Sequence, residues 1–351
     1  MSQAVQCELP RHPEFPTLES ALDKDFPMDV SATRSITVGV SNLERALELF
    51  AGVMALQVDW RASLDASLLE AWGLPAGTRA HAAELSCKGY PYGRLRLVEY
   101  SPVDPTRVRD DFGTDAIDSP LDIGPKAIDF YVADPIQDCL QRVVAAGYPA
   151  RSAPRKHLIG HSLSEEVVIT GPDRVPLLLM VGHRHARTSL REGSPDGLYS
   201  EIATASVICG DLGASRRFYG EQLGLVAVND AETPDEYRAL VDELVDAPQG
   251  TRVHFLLYAE RGEASGKILL IHFFGAPARR LVDRMRPGRL GFSLFSHDVG
   301  NVHGLHARIV KAGDARVVLR PTTVKTPLGP RLVMMVRGPN EEMFEFSSAV
   351  E

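Results

Sequence analysis

The sequence has no uninterrupted apolar stretch of the ~18 residues that a membrane-spanning helix needs, so a membrane partner is not expected. Basic runs are missing too. Lys and Arg number 38 against 46 Asp and Glu, a formal net charge of −8, which leaves no counterion-release footprint for nucleic acid. Cysteine is scarce: Cys7, Cys87, Cys139 and Cys209 show no paired spacing, and reduced thiols are the simplest reading. Cys139, on the apolar face of a helical stretch, and Cys209, in a strand, read as buried hydrophobes rather than nucleophiles. Glycine-rich phosphate loops are absent, so no nucleotide cofactor is expected. The opening residues lack the basic segment, apolar core and small-residue site of a secretory signal, so the expected location is cytoplasmic. What is present is globular in character, with 44% apolar and 24% charged residues.

Internal repetition organises the chain. Ser35-Ile-Thr-Val-Gly-Val-Ser-Asn-Leu43 matches Thr204-Ala-Ser-Val-Ile-Cys-Gly-Asp-Leu212, and Pro75-Ala-Gly-Thr-Arg-Ala-His81 matches Pro248-Gln-Gly-Thr-Arg-Val-His254. Gly93-Arg-Leu-Arg-Leu-Val-Glu99-Tyr100 then matches Gly266-Lys-Ile-Leu-Leu-Ile-His272-Phe273. A weaker pair starts at Ala127-Ile-Asp-Phe-Tyr-Val-Ala-Asp134 and at Leu290-Gly-Phe-Ser-Leu-Phe-Ser-His-Asp298, and each leads into a helical pattern ending at Gly147 or Gly313. Gly171-Pro172-Asp173 and Gly338-Pro339-Asn340 precede the closing strands of those two units. The chain therefore reads as four modules of one pattern, strand–helix–strand–strand–strand, in two similar halves.

Local signals support the elements. Ser41 and Glu44 have capping-box spacing, after which Leu43, Ala46, Leu47, Phe50 and Met54 recur at helical intervals and face a sheet. Asp134 with Pro135 marks another helix start. Leu95, Leu97 and Glu99 share one strand face by the period of two. Residues 1–30 read as an extension, 31–182 as the first half, 183–197 as an Arg-, Ser- and Gly-rich linker and 198–351 as the second half. Segments 101–123 and 275–288 are longer than ordinary connections, consistent with crossing from one sheet to the next. The simplest pairing joins module 1 to module 2 and module 3 to module 4.

With its (Asp/Asn)-Leu helix entries and its Phe344-Glu345-Phe346 exit, this pattern resembles the glyoxalase / vicinal-oxygen-chelate (VOC) superfamily over roughly residues 31–349. The resemblance implies an α+β fold: four βαβββ modules forming two homologous halves, with curved open-barrel sheets holding the active site in their hollows. It also implies metal-ligand positions in the first and last strand of each module. Here those are Ser35, Ala127, Thr204 and Gly291 (or Ser293), and Glu99, Leu178, His272 and Glu345. No adjacent pair of modules supplies the three or more convergent donors that a transition metal needs. No cofactor is therefore expected; an irregular divalent-metal centre on His272 and Glu345 is the less favoured alternative.

The residues expected to carry chemistry are His272, Glu345, Glu99, His254 and Tyr100. A carboxylate at Glu345 or Glu99, or the imidazole of His272, serves as base, with Tyr100 or a second of these as acid. His254 repeats His81 and is placed to sit across from His272. His157 and His161 read as loop or edge residues at most lining a cavity mouth. His183 and His185 read as solvated linker residues, and His303 and His306 as helix residues turned away from any hollow. The expected function is metal-independent isomerisation, elimination, ring opening or hydrolysis of a small to medium, largely apolar carbonyl compound. The competing reading is a ligand-sequestering protein with a groove of Tyr100, Phe130, Tyr258, Phe273 and Phe274. A small-molecule partner is expected in either case, with a homodimer left open.

Overall fold

A computed structural model describes residues 30–350 apart from 89, 160–161, 184–189, 191–196 and 283. Most of the expected extension, most of the linker, His161 and His185 lie outside the described residues.

Module 1 runs β1 (Ser35–Val40), α1 (Leu43–Leu47) with a wider helical turn Glu48–Val53, β2 (Gln57–Ser63), α2 (Ala66–Ala71), β3 (Arg79–Ser86) and β4 (Arg94–Ser101). Module 2 is β5 (Gly124–Val132), α3 (Ile136–Ala145), β6 (Arg155–Ile159), β7 (Ser162–Thr170) and β8 (Pro176–Gly182). Module 3 is β9 (Tyr199–Ile208), α4 (Leu212–Ser215) continued by the turn Arg216–Gln222, β10 (Val226–Glu232), α5 (Asp235–Val245), β11 (Val253–Ala259) and β12 (Lys267–Phe273). Module 4 is β13 (Gly291–Asp298), α6 (Val302–Ala312), β14 (Arg316–Thr326), β15 (Gly329–Arg337) and β16 (Met343–Ala349). The helix starts are capped from within the repeat. Asn42, Asp211 and Asn301 each accept a backbone N–H three residues on, at 2.9, 3.0 and 2.8 Å. The cap of α1 is thus Asn42 rather than Ser41, whose own N–H donates to Asp173 at 2.8 Å. Pro135 takes the cap position of α3, without a side-chain bond from Asp134.

The strands form two eight-stranded sheets, ordered β14-β15-β16-β13-β1-β4-β3-β2 and β10-β11-β12-β9-β5-β8-β7-β6. Module 1 therefore shares a sheet with module 4, and module 2 with module 3, through antiparallel seams β1·β13 and β5·β9. This corrects the expected pairing of neighbours. The long segments explain it, because 101–123 and 275–288 each carry the chain from one sheet to the other. They are fastened together where they cross: Ile123 bridges Arg280, and the Arg279 side chain donates to Asp122 at 2.7 Å and to Asp118 at 3.2 Å.

Sequence neighbours still meet, through the helices. Leu47 and Phe50 of module 1 pack in one core with Ile36, Leu95 and Leu97 of their own sheet and with Phe130, Ile136 and Cys139 of module 2. Phe50 and Phe130 stand 6.3 Å apart, and Phe218 and Phe344 make the equivalent join of modules 3 and 4 at 5.4 Å. The inward-turned residues of the sheets gather into separate clusters, one around Trp72, Val98, Tyr100 and Met335, another around Phe255, Ile271 and Phe273. Each sheet thus curls around a hollow of its own. No helix among the described residues is long and apolar enough to cross a membrane.

Candidate functional site

The hollow of modules 1 and 4 is filled. α2 follows β2 and tucks Leu68, Leu69 and Trp72 inside. Trp72 donates its indole N–H to Glu345 Oε2 at 2.7 Å, and Arg96 lies over the indole ring at 5.7 Å while its guanidinium reaches Glu345 and Glu84 at 3.4 Å each. Arg34 and Arg94 join Glu84 at 3.1 and 3.4 Å. Burial opposes charge on Glu84, but Arg96, Arg34 and Arg94 outweigh it and hold its carboxyl below the usual range. The same pairs hold Arg96 charged against its burial. About 20 Å³ of cavity remains beside them, room for about one water. Glu345 does face inward, but its oxygens are committed. Tyr100 also faces this hollow, packed among apolar side chains, and burial pushes its pKa up against a backbone hydrogen bond from Gly288.

Glu99 and His272 sit on the opposite face from the one a cavity base requires. Glu99 Oε2 accepts the Leu43 N–H at 2.7 Å, and with His81 and Arg61 it lines an outer surface groove. His272 Nδ1 bonds the Cys209 carbonyl at 2.9 Å, with the Phe274 ring edge-on at 4.8 Å. The reason is parity. Leu95, Leu97, Ile268 and Leu270 point toward the helices, and Glu99 and His272 continue those rows. His254 does lie directly opposite His272 in the β11·β12 ladder, with Nε2 2.5 Å from Asp230, and shares that outer position. The aromatic groove is not assembled either: Phe130 and Tyr258 belong to the helix-side core, Phe273 to an inner cluster and Tyr100 to the other sheet. His183 is half-buried, 3.8 Å from Glu165.

The hollow of modules 2 and 3 is open. Its cavity measures about 370 Å³, with walls that include Val168, Leu178, Met180, Phe255, Leu257 and Ile271. The longer α5 stands over it and contributes Val241, Leu244 and Val245. By the repeat offset Val245 is the counterpart of Trp72, so the side chain that plugs one hollow is small in the other.

Ionisable groups stand on this apolar floor. The strand registers align Leu178, Asp129, Thr204 and Lys267 in one row across β8, β5, β9 and β12. Asp129 and Lys267 are two strands apart, roughly 10 Å between backbones. Asp129 is buried, and its Oδ1 has no hydrogen-bond partner among the described residues. Burial, then the neighbouring Glu166, raise its pKa well above the carboxylate range, against the pull of Lys267, so its neutral acid form is favoured. Lys267 donates to the Tyr131 hydroxyl at 3.3 Å and lies 5.4 Å from that ring. Burial brings its pKa down to about 8, with Glu201, Asp129 and Glu263 opposing. His157 is 1% exposed, with Nε2 2.8 Å from Glu166 Oε2; burial favours its neutral form, yet Glu166 prevails and its pKa rises. At the rim, Asp111 holds Lys126 at 2.5 Å and Arg151 at 2.9 Å, and Arg151 lies over Phe112 at 4.6 Å.

Asp129, Lys267 and Glu166 escape a reading by motif, and His157 is a cavity wall rather than a loop residue. One signal was available: Asp129 interrupts an apolar strand, Ala-Ile-Asp-Phe-Tyr-Val, that is buried along its whole length.

The positions that a family metal would use do not fit one. Around the filled hollow, Glu345 is already neutralised by the Arg96 guanidinium. Around the open one, the corresponding positions are Ala127, Thr204 and Leu178, with His272 turned outward onto the Cys209 carbonyl, and among the described residues no three His, Cys, Asp or Glu side chains are grouped to hold a metal ion.

Residues 201–346 match the profile of the Glyoxalase/Bleomycin resistance protein/Dioxygenase superfamily. In overall fold the chain is similar to glyoxalase I from Zea mays, with a TM-score of 0.59 and 11% identity over 90% of this chain and 92% of that one. It is likewise similar to a putative dioxygenase from Bacillus subtilis subsp. subtilis str. 168, with a TM-score of 0.57 and 13% identity over 92% and 86%. No curated protein matches the sequence.

Proposed function

We propose that this chain, whose residues 201–346 match the glyoxalase superfamily profile and whose overall fold is similar to that of glyoxalase I, is an enzyme whose reaction is metal-independent proton transfer in the hollow of modules 2 and 3. The substrate class is a small to medium, largely apolar molecule carrying a carbonyl group. The observation that carries this reading is Asp129: a carboxyl favoured in its acid form, with one buried oxygen unpartnered among the described residues, on the floor of a 370 Å³ apolar cavity. Apolar walls hold the carbon skeleton and leave the carbonyl oxygen to seek the polar groups present. Asp129 donates to that oxygen, and the His157–Glu166 pair accepts or returns a proton at a neighbouring atom. Isomerisation, elimination and ring opening next to a carbonyl all use this pair of operations.

The apolar walls also suit a protein that only sequesters its ligand, and one measurement separates the readings. α-Proton exchange of acetophenone and cyclohexanone in heavy water, followed by proton NMR, reads proton transfer without knowledge of the natural substrate. The wild type is expected to accelerate exchange, and Asp129→Asn to slow it by about 10²–10⁴-fold while retaining binding. Tight binding of either ketone with exchange no faster than in buffer favours sequestration and refutes the enzymatic reading.

A further inference from the structure

Lys267 occupies an unusual place for a lysine. Its counterpart in the repeat, Arg94, is half-exposed and ion-paired to Asp59 at 3.2 Å and Glu84 at 3.4 Å. Lys267 is buried, turned to the inside of the hollow with Leu269 and Ile271, and its ammonium position is satisfied by a phenol hydroxyl rather than a carboxylate. A charged amine so placed lacks the compensation that Arg94 enjoys, which favours the free amine. The other lysine of the cavity, Lys126, provides an internal contrast. Burial lowers its pKa to about 8 as well, but Asp111 at 2.5 Å and the Pro120 carbonyl at 3.1 Å hold it in place at the rim.

We propose that Lys267 is a covalent catalytic residue of this hollow, its Nζ condensing with the carbonyl carbon of the ligand to form a Schiff base. This rests on the reading of the same hollow as the active site. The free Nζ lone pair attacks the carbonyl carbon, the C=O π pair moves to oxygen, and that oxygen takes a proton from Asp129. After Nζ loses a proton to the Asp129 carboxylate, the C–O bond of the carbinolamine breaks and the oxygen leaves as water with the proton returned by Asp129. The nitrogen lone pair forms C=N. One water is released and nothing is oxidised or reduced. The iminium so formed draws electrons from the adjacent carbon and eases loss of its proton, and the Tyr131 hydroxyl holds Nζ aimed into the cavity.

The test is reductive trapping on the full chain. Wild-type protein is incubated with benzaldehyde and sodium cyanoborohydride near neutral pH, and adducts are mapped by peptide mass spectrometry. A lysine with a pKa near 8 presents about 10²-fold more free amine than an ordinary exposed lysine. Lys267 is therefore expected to be modified at least about tenfold faster than exposed Lys88, Lys311 or Lys325, and faster than the ion-paired Lys126. Lys267→Met is expected to lose that adduct and keep its circular dichroism. Labelling that follows exposure, or that falls on Lys126 first, overturns the proposal. The wild-type map decides the matter even if the Lys267→Met variant fails to fold. The two readings fail separately. Asp129-dependent proton exchange without Lys267 labelling leaves the acid/base reading standing and removes the covalent step. Fast labelling of Lys267 with no proton exchange removes the acid/base reading instead.

Discussion

Glu345→Ala discriminates between a catalytic and a structural carboxylate. Glu345 looks like a family active-site residue by its place in Phe344-Glu345-Phe346, yet it is paired with Arg96, which also reaches Glu84, and Glu84 in turn holds Arg34 and Arg94. The side chains of Glu345, Arg96 and Glu84 are 6%, 7% and 0% exposed, so solvent does little to soften a loss. Removing Glu345 leaves Arg96 with Glu84 alone and strips the Trp72 N–H of its acceptor. Breaking a buried pair from one side costs about 3–5 kcal/mol. The orphaned indole N–H accounts for about 1–3 kcal/mol taken alone, and the two do not simply add. A loss of about 3–5 kcal/mol is therefore expected for Glu345→Ala, and a smaller one for Glu345→Gln, which keeps an acceptor for Trp72. Urea unfolding followed by tryptophan fluorescence measures it, since Trp72 is one of two tryptophans. Ligand binding in the other hollow should survive at temperatures where the variant is folded. A variant that loses less than about 1 kcal/mol and yet abolishes ketone exchange would refute the argument, because the carboxylate would then act in catalysis and not in packing.

Two further outcomes follow from the geometry. Val245→Trp places in the open hollow the side chain that fills its counterpart; it should abolish ligand-induced thermal stabilisation while the protein stays folded, and unchanged ligand binding would show that α5 does not roof the site. Glu342 is buried, and burial raises its pKa to about 7 from 4.5, with the Tyr219 hydroxyl at 2.5 Å opposing. Its folded-state pKa is raised, so its contribution to stability is full below pH ~4.5 and declines as pH rises through 7, by at most roughly 3 kcal/mol. Glu342→Gln should flatten that decline in urea titrations between those pH values, and an unchanged slope would count against it.

The modules were legible in the sequence because each carries its own signals: a polar cap, an apolar helical stripe, a glycine stop and a closing strand. Sheet pairing was less so, because it depends on where 101–123 and 275–288 deliver the chain. Their length did register as a crossing between sheets, and a segment that crosses cannot join two modules of the same sheet. The side chains lining the open hollow were passed over through parity. Aligning the repeats at Glu99 and His272 compares like with like, but both positions share the face of Leu95 and Ile268, which packs on helices. Phasing each closing strand from its apolar neighbours would have passed over Glu99 and His272 and brought forward Arg96 and Lys267. Trp72 shows the complementary difficulty, since a tryptophan after a short amphipathic turn reads as ordinary core until Glu345 is known to stand 2.7 Å away.

The seam between β1 and β13 has a consequence for synthesis. Modules 2 and 3 are contiguous, so their sheet closes as soon as Phe273 has left the ribosome. Module 1 emerges earliest, but its sheet waits for β16 at residue 343. At about 5–20 residues per second the delay after β4 is roughly 10–50 s. During that interval the edge of β1 stays unpaired until β13 (Gly291–Asp298) has emerged, and Arg96 waits longer still for Glu345 on the last strand.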